Sequence, residues 1–459
     1  MSNFYQLSKE ELTKKLSSRD INVGVVGFGY IGCCIGAYMA GRGLKVTGID
    51  TRDSIVESIN KGNPVINEPG LEKLVSRTVK DGFLTATKDF SSLKNSDVIL
   101  ITVGTPLNDD FSPSMDEIKS ASRYLGKYLS KGQMVMLKST VPPFTTENVV
   151  RPILEEESGL RAGVDFGLAF SPERIAEGRA LEELGSIPIV IGGYDKRSSE
   201  VASEFWKNIV GVETIIVSDT KTAEMTKLAD NLWIDLNIAL ANELAQLSHK
   251  IGVDVLEVIT AANSLPKVRG NVNILNPSMG VGGYCLTKDP WFVHNLGKQY
   301  GLDLKIPVTS RKVNDYMPKF TFDLIKECLE KSGKDIRESN VAVLGLSFKN
   351  STGDVRYTPT KYAIEYLKDS GCNLRIFDPW VTKEETATVT NLSQSESLEA
   401  AIQGADAIAF FTGHPEFVEY PKAKIKTLVK KDCWIIDGRN AFNPKDMKDF
   451  GFNYVGIGR

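Results

Sequence analysis

The sequence has few of the two residue types on which much enzyme chemistry depends. Of its 459 residues, only 6 are cysteines and 3 are histidines. Six cysteines are too few for a disulfide framework in so long a chain, and none forms a C-x-x-C pair that would indicate structural zinc. Free thiols are typical of a reducing compartment, so we expect a cytoplasmic protein with no bound metal. The scarcity of histidine directs the search for catalytic groups to cysteine, lysine and carboxylates.

The chain also lacks an excess of charge and any long apolar run. Lys and Arg total 55 and Asp and Glu total 58, a formal net charge of −3, which gives no support to nucleic acid as a partner. No run of 18 apolar residues is present, and the first 20 residues contain a capping-box pattern at Ser8–Glu11 instead of a signal peptide. We therefore expect no membrane association. At about 150 residues per domain, the length predicts about three modules.

The first part of the chain alternates short apolar runs with helical stretches. The run Ile21–Val26 predicts a strand. A glycine-rich turn follows it, and then a helix that extends to about Gly43. The run Lys45–Asp50 predicts a second strand. This order is the βαβ unit of a dinucleotide-binding fold. We predict a helical extension over 1–20 and a cofactor-binding Rossmann domain with a doubly wound parallel sheet over 21–217. Its further strands are predicted at Val98–Val103, Met134–Lys138 and Phe166–Phe170.

A long helical pattern separates this module from a second α/β module. From Ser218 to Gly252, apolar residues recur every three or four positions with no proline. We interpret this segment as a connecting helix within a helical middle domain over 218–325, and as a candidate interface of a homodimer or higher homo-oligomer. A second Rossmann-like domain is predicted over 326–459. Its strands are predicted at Val341–Leu346, Asn373–Phe377, Ala407–Phe411 and Cys433–Ile436. The predicted fold class is α/β, with two Rossmann-like doubly wound domains joined by a long central helix and a helical middle domain.

The turn after the first strand carries the spacing Gly27-x-Gly29-x-x-Gly32. Gly27 would permit the tight turn, Gly29 would let a pyrophosphate approach the backbone, and Gly32 would let helix and strand pack closely. Asp50 ends the next strand and would accept hydrogen bonds from ribose hydroxyls, which favours NAD over NADP, although the neighbouring Arg52 weakens that preference. The alternative is a βαβ turn with incidental glycines. In this context the sequence predicts an NAD site.

A second glycine-rich stretch, Gly280–Gly283, precedes Cys285, Lys288 and Asp289. Glycines let a backbone approach a ligand, and a nearby ammonium favours the nucleophilic thiolate. An inert core cysteine is the alternative, and it is the interpretation we adopt for the other five. Cys285 differs from them because its neighbours are glycines and charges.

Two further segments offer charged groups. Glu173 and Glu177 follow a predicted strand, where ligand sites of α/β proteins lie, although a solvated loop explains them equally well. Lys227 and Asn231 are spaced i, i+4 on the long helix and share one face, for which a solvated helix surface is the alternative.

Together these motifs resemble the nucleotide-sugar 6-dehydrogenases, the family of UDP-glucose and GDP-mannose dehydrogenases, over all three modules from about Ile21 to the C-terminus. The resemblance is carried in order by the first glycine motif and by segments around Thr105, Thr140, Glu173, Glu177, Lys227, Asn231, Cys285, Lys349, Arg356 and Arg439. It implies oxidation of a sugar C6 alcohol to a carboxylate in two NAD-dependent steps, and supply of surface polysaccharide precursors.

The resemblance also implies roles for individual residues. Cys285 would attack the aldehyde to form a thiohemiacetal, which a second oxidation converts to a thioester. Glu177 and Thr140 would activate water, Lys227 and Asn231 would stabilise oxyanions, and Asp289 would assist proton transfer. The cofactor-binding set would be Gly27, Gly29, Tyr30, Ile31, Gly32, Asp50, Arg52, Thr105, Thr140, Lys288 and Arg356. The substrate-binding set would be Glu173, Arg174, Glu177, Lys227, Asn231, Arg269, Gly282, Lys349 and Arg439, with Arg269 reaching a neighbouring subunit.

The sequence Ser171-Pro172-Glu173-Arg174 resembles the branch of the family that acts on UDP-N-acetylhexosamines. We therefore favour UDP-N-acetylmannosamine or UDP-N-acetylglucosamine as substrate and keep UDP-glucose as the alternative. Two other functions stay open on the sequence alone: a one-step NAD dehydrogenase of a small hydroxy acid, and a non-catalytic protein that binds a nucleotide sugar.

Overall fold

A computed structural model describes residues 3–267 and 270–459. The chain divides into two compact units: one runs to Asp230 and includes Trp291–Leu296, and the other comprises Asn231–Pro290 and Gly297–Arg459. Each unit is built around one main sheet, which is all-parallel in the second unit and parallel except for one strand pair in the first.

The first unit contains an eight-stranded sheet in the order β3-β2-β1-β4-β5-β6-β7-β8, and its neighbouring strands are parallel except for the antiparallel pair β6 and β7. The strands are β1 Asn22–Val26, β2 Lys45–Ile49, β3 Leu84–Thr87, β4 Val98–Ile101, β5 Met134–Leu137, β6 Gly167–Phe170, β7 Ile189–Gly193 and β8 Thr214–Ile216. All four residues of β4, β5 and β6 are buried, which is typical of strands covered on both faces. The strand order reverses between β1 and β4, where doubly wound sheets bind ligands.

Helices cover this sheet and connect its strands. They are α1 Lys9–Ser18, α2 Tyr30–Gly41, α3 Asp53–Asn60, α4 Leu71–Lys80, α5 Asp116–Gly126, α6 Arg151–Ser158, α7 Ala180–Leu184 and α8 Lys196–Ile209, with 3₁₀ turns at Phe4–Gln6 and Phe90–Asn95 and a π-helical segment at Thr146–Val150. The predicted capping box is present at the start of α1. The Ser8 hydroxyl accepts the N–H of Glu11, and the Glu11 carboxylate accepts the N–H of Ser8. Leu12 and Leu16 are buried. The N-terminal helix is thus packed into the core of the first unit.

The long helix predicted between the two α/β modules is present as α9, Thr220–Ile251, with 32 residues. Its first three turns belong to the first unit and the remainder to the second. At 1.5 Å per residue it is about 48 Å long. None of the helices in residues 3–267 and 270–459 is both long and apolar enough to cross a membrane.

The second unit contains a five-stranded, all-parallel sheet in the order β12-β11-β13-β14-β15. Its strands are β11 Asn340–Leu344, β12 Asn373–Phe377, β13 Ala407–Phe410, β14 Trp434–Asp437 and β15 Asn453–Gly456, and a short antiparallel pair is formed by β9 Pro266–Lys267 and β10 Gly270–Asn271. Its helices are α10 Val255–Asn263, α11 Asp289–Gln299, α12 Lys305–Lys331, α13 Pro359–Asp369, α14 Lys383–Thr390, α15 Leu398–Ile402, α16 Pro415–Val418, α17 Lys422–Leu428 and α18 Pro444–Asp449, with a 3₁₀ turn at Ile336–Glu338.

The predicted α/β fold class is confirmed. Each predicted strand is present, with ends that differ from the prediction by at most two residues. Apolar runs between helical segments were sufficient for this, because the central strands of both sheets are buried on both faces.

Candidate active site

Each of the three glycines in the turn after β1 meets a different structural requirement. Gly27 has φ +91°, and a Cβ there would lie 2.8 Å from the backbone nitrogen of Val103. A Cβ on Gly32 would lie 2.1 Å from the carbonyl oxygen of Gly27, so α2 packs directly on the turn. At Gly29 the nearest heavy atom to a Cβ would be an Arg52 nitrogen at 3.9 Å. The backbone at Gly29 is therefore open to a ligand, beside the N-terminus of α2 where Tyr30 and Ile31 begin the helix.

Asp50 follows β2 and is buried beside this turn. Its carboxylate accepts the backbone N–H of Phe28 at 3.1 Å and that of Arg52 at 3.0 Å, and it forms an ion pair with the Arg52 guanidinium at 3.0 Å. The Arg52 side chain is exposed, so a ribose hydroxyl that approaches Asp50 would compete with a solvated ion pair.

The loops after β4 and β5 are held together by hydroxyl groups. The Thr105 hydroxyl donates to the carbonyl oxygen of Thr140 at 2.8 Å, and that of Ser139 donates to the carbonyl oxygen of Val103 at 2.7 Å. Thr105 and Thr140, one predicted for the cofactor and one for both cofactor and catalysis, therefore lie in contact.

A buried lysine that we did not predict as a site residue lies at the end of β5. Lys138 donates to the carbonyl oxygen of Ser171 at 3.0 Å and lies 3.3 Å from the carboxylate of Glu173. Burial lowers the pKa of Lys138, the Glu173 carboxylate opposes that shift, and the charge of Lys227 adds to it. Lys138, Glu173 and Lys227 thus form one group of interacting charges in the first unit. Its position directly before Ser139-Thr140 was the available sequence signal.

The loop after β6 is fixed by contacts on both sides of Glu173. Arg174, predicted to bind substrate, donates to Asp230 at 2.9 Å and to the carbonyl oxygen of Pro188 at 3.3 Å, so part of its donor capacity is used within the protein. Glu177 is half-buried, and Gly178 after it has φ +82°.

On α9, Lys227 and Asn231 are both buried and lie one helical turn apart, about 6 Å along the axis. Lys227 belongs to the first unit and Asn231 to the second. The alternative of a solvated helix face is excluded by this burial.

Cys285 is exposed in a turn that leads into α11. Its carbonyl oxygen accepts the N–H groups of Lys288 at 3.1 Å and Asp289 at 2.9 Å. The buried carboxylate of Asp289 accepts from the Lys288 ammonium at 2.6 Å on one oxygen and from the Asn231 amide on the other. The ammonium of Lys288 therefore forms a buried ion pair with the carboxylate of Asp289.

Two of the glycines before Cys285 pack closely against the loop that carries Phe348. A Cβ on Gly282 would lie 2.5 Å from Cβ of Phe348, and one on Gly283 would lie 2.7 Å from the Phe348 ring. The N–H of Gly283 donates to the carbonyl oxygen of Arg356 at 3.1 Å. Close packing of two protein loops therefore requires glycine at these two positions, and approach of a ligand to this stretch stays a prediction.

The loop after β11 carries Lys349 and Arg356, of which Lys349 is half-buried and Arg356 is paired with Asp354. Arg439 follows β14 and donates to the carbonyl oxygens of Phe411 and Phe348, each at 2.8 Å. Burial lowers the pKa of Arg439 to about 10, so it stays charged at neutral pH. Arg439 therefore holds the Phe348 loop against the sheet. Arg269 lies outside the described residues.

Glu224, one turn before Lys227 on α9, is a buried carboxyl group. One oxygen accepts the N–H and hydroxyl of Thr146 at 2.8 and 2.6 Å, and burial raises its pKa from 4.5 to about 7. Because the folded chain retains this proton more tightly than the unfolded chain does, stability falls as pH rises from 4.5 and the loss is complete above about pH 7.

We expect Glu224→Gln, which keeps the acceptor for Thr146, to be more stable than the unaltered protein at pH 8 by up to about 3 kcal/mol, since each pKa unit is worth about 1.4 kcal/mol. At pH 5 the difference should be small. Denaturant midpoints at the two pH values measure this, with exposed Glu243→Gln on the same helix as the control. An equal shift at both pH values would contradict the ionisation argument.

Comparison with known proteins gives matches over most of the chain. Models of the UDP-glucose/GDP-mannose dehydrogenase family match residues 21–210 as the NAD binding domain, 221–316 as the central domain and 342–444 as the UDP binding domain. The chain is 36% identical to the UDP-N-acetyl-D-mannosamine dehydrogenase of Pyrococcus horikoshii, over 96% of this chain and 99% of that protein. It is 38% identical to the enzyme of the same name from Campylobacter jejuni, over 88% and 98%.

Solved structures of nucleotide-sugar dehydrogenases also match over nearly the whole chain. The structure of the UDP-N-acetylmannosamine dehydrogenase from Pyrococcus horikoshii matches with a TM-score of 0.86 over 96% of this chain and 99% of that chain. A UDP-glucose dehydrogenase from Pyrobaculum islandicum matches with a TM-score of 0.85 at 29% identity, over 96% and 98%. The N-terminal domain binds NAD and the C-terminal domain binds UDP in this fold.

Proposed function

The chain belongs to the UDP-glucose/GDP-mannose dehydrogenase family, whose members are NAD-dependent oxidoreductases of nucleotide sugars, and from this we propose that it oxidises the C6 hydroxyl of a UDP-N-acetylhexosamine to a carboxylate. The reaction consumes one water and two NAD and releases two NADH. The single observation that carries the covalent chemistry is the exposure of Cys285, since the other five cysteines are buried or half-buried.

NAD, when bound, accepts a hydride in each of the two oxidations, and the open backbone at Gly29 with Asp50 nearby fits its pyrophosphate and ribose. The first oxidation removes a hydride from C6 and a proton from its hydroxyl, which gives an aldehyde. The Cys285 sulfur adds to the aldehyde carbon, and the carbonyl oxygen takes up a proton to form a thiohemiacetal.

The second oxidation removes a hydride from C6 of the thiohemiacetal and a proton from its hydroxyl, which gives a thioester. Water then adds to the thioester carbonyl, and the C–S bond breaks to release the carboxylate and the thiol. Glu177 would accept the proton of this water and Thr140 would orient it, because a carboxylate and a hydroxyl suit these tasks.

Charge on the reacting oxygen must be stabilised in both the addition and the hydrolysis. We assign this to Lys227 and Asn231, which are buried and one turn apart on the same helix, since cation and amide N–H donors act strongly away from water. Asp289, held between Lys288 and Asn231, would keep the amide of Asn231 oriented and pass protons through a water.

The favoured substrate is UDP-N-acetylmannosamine, because the relatives from Pyrococcus horikoshii and Campylobacter jejuni bear that name. UDP-N-acetylglucosamine stays a proposal, and UDP-glucose is the alternative, supported by the Pyrobaculum islandicum structure. Glu173, Lys349 and Arg439 would contribute to binding the UDP-sugar.

An absorbance assay of NADH formation over a panel of UDP-N-acetylmannosamine, UDP-N-acetylglucosamine, UDP-glucose and GDP-mannose tests the proposal. We expect two NADH per substrate molecule and the highest kcat/KM with an N-acetylated UDP-sugar. One NADH per molecule would replace the two-step reaction with a one-step dehydrogenase, and a preference for UDP-glucose would establish the alternative.

We also propose that the protein is a homodimer through α9. Large apolar side chains are exposed at intervals of three, four and seven residues along its part in the second unit: Trp233, Leu236, Leu240, Leu247 and Ile251. A stripe of this kind is typical of a protein–protein interface. Light scattering should give about twice the chain mass of 50.5 kDa, and Leu240→Glu should shift it toward one chain; a monomeric unaltered protein would contradict this.

A further inference from the structure

Glu68 is a buried carboxylate in the segment between α3 and α4, and none of the proposed catalytic steps uses it. It forms no ion pair within residues 3–267 and 270–459. A buried carboxylate without a cation must be compensated by hydrogen-bond donors, because burying an isolated charge is costly. Its donors come from two distant parts of the first unit.

One donor belongs to the turn after β1, Gly27–Tyr30, which we call the cofactor turn because we propose that NAD binds there. The hydroxyl of Tyr30, the residue directly after Gly29 and the first of α2, donates to Oε2 of Glu68. Burial and this hydrogen bond raise the pKa of Tyr30 well above its ordinary value, so the phenol stays protonated and remains a donor. The partner that orients Tyr30 is therefore Glu68.

The other donors belong to the loop that carries Glu177. The N–H of Gly178 donates to the same Oε2 at 2.8 Å, and the N–H of Ala180 donates to Oε1 at 2.7 Å. Gly178 directly follows Glu177 and has φ +82°, a backbone region that glycine enters easily and other residues rarely adopt. The direction in which the chain leaves Glu177 is therefore fixed by Glu68.

A simpler interpretation is that Glu68 only caps the N-terminus of α7. A cap would need the Ala180 N–H alone, on one oxygen. Here the second oxygen, Oε2, accepts hydrogen bonds from both Tyr30 and Gly178. A shift of the Tyr30 hydroxyl therefore changes how the charge on Oε2 is stabilised, and with it the hydrogen bond to Gly178. One carboxylate thus joins the cofactor turn to the Glu177 loop.

We propose that Glu68 is a positioning residue that couples cofactor binding at the Gly29–Tyr30 turn to the placement of Glu177 for thioester hydrolysis. This inference rests on the proposed function, because it assigns a consequence to Glu177 in that reaction. When the cofactor holds Tyr30, Glu68 holds Gly178, and water activation by Glu177 is most effective with the cofactor turn in place.

The test is a double-mutant cycle of Tyr30→Phe and Glu68→Gln. Three quantities are measured: the dissociation constant of NAD without sugar by calorimetry, kcat, and the fraction of chain bearing the acyl group on Cys285 by quenched intact-mass measurement. We expect Glu68→Gln to weaken NAD binding by about 3–10-fold, to lower kcat by about 10–100-fold and to accumulate the acyl form. Tyr30→Phe should slow hydrolysis, which is measured as a kcat lowered by about 3–10-fold and an accumulated acyl form.

If the two residues are coupled, the effects of Tyr30→Phe and Glu68→Gln on kcat and NAD affinity do not multiply. The double variant should then match Glu68→Gln in both quantities within about 2-fold. Glu72→Gln, an exposed carboxylate at the start of α4, is the matched control and should resemble the unaltered protein in all three measurements. Multiplying effects would overturn the proposal, as would a Glu68→Gln variant that melts earlier but keeps NAD affinity and kcat.

Two features keep the test decisive. Tyr30→Phe removes one hydroxyl, so it decides the question even if Glu68→Gln does not fold: unchanged acyl-enzyme hydrolysis in Tyr30→Phe would overturn the coupling. If the unaltered protein forms no NADH from any UDP-sugar, the proposed function itself has failed. Normal two-NADH turnover with unaffected Tyr30 and Glu68 variants would defeat only the coupling.

Discussion

Replacing Cys285 with serine should lower kcat on the best UDP-sugar by at least about 1,000-fold while the folded structure is retained. The exposed side chain has room for the substitution, and a serine hydroxyl is a far weaker nucleophile at neutral pH than a thiol with a fraction of thiolate. Cys285→Ala should stop at the aldehyde, because no covalent adduct can form, and should give one NADH per substrate molecule. Steady-state NADH formation and total NADH yield measure the two effects.

Cys372→Ser is the matched control, since Cys372 is half-buried in the second unit and lies near no proposed catalytic residue in the sequence. It should keep kcat within about 2-fold, as expected for a substitution away from the site. A Cys285→Ser variant that still gives two NADH at an unaltered rate would rule out the thioester reaction and leave Cys285 as a structural residue.

Replacing Lys227 with methionine should lower kcat by about 100–1,000-fold with a small change in KM. Removing one donor to a developing oxyanion typically has an effect of this size on kcat, because the interaction is strongest in the transition state. Methionine retains much of the apolar length of the buried side chain, so packing in α9 should survive. The measurement is kcat and KM for the best UDP-sugar, together with the thermal midpoint.

Lys221→Met on the same helix is the control, because Lys221 is paired with Asp219 near the surface and the same charge is removed. It should have kcat close to that of the unaltered protein. If Lys227→Met instead raised KM and left kcat unchanged, Lys227 would contribute to substrate binding equally in ground and transition states and not to oxyanion stabilisation.

Much of the fold was predictable because it depends on local patterns. β5 and β13 are uninterrupted apolar runs, and the 32-residue helix α9 follows from a sustained period of three and four residues. The glycine spacing at Gly27–Gly32 predicted the tight turn after β1, since the requirements of that turn lie within six residues and the next strand.

The parts that could not be predicted depend on contacts between distant segments. Glu68 lies 110 residues before Gly178, and no periodicity joins them. Lys138 meets Glu173 only because β5 and β6 are neighbours in the sheet. The packing of Gly283 on Phe348 likewise follows from how two loops fold back on one another. These contacts add structural reasons for residues that the motifs had singled out, and the functional roles of those residues stay predictions.

Because Cys285 is exposed, its sulfur is the one that an oxidant in solution reaches most easily. Burial raises the pKa of the Cys33, Cys328 and Cys433 thiols to about 12, so they stay protonated and react slowly. A peroxide would therefore convert Cys285 to a sulfenic acid before the other thiols, which a small thiol can reduce, whereas further oxidation to sulfinic acid is permanent. The chain would then lose the nucleophile that we propose, with its fold intact.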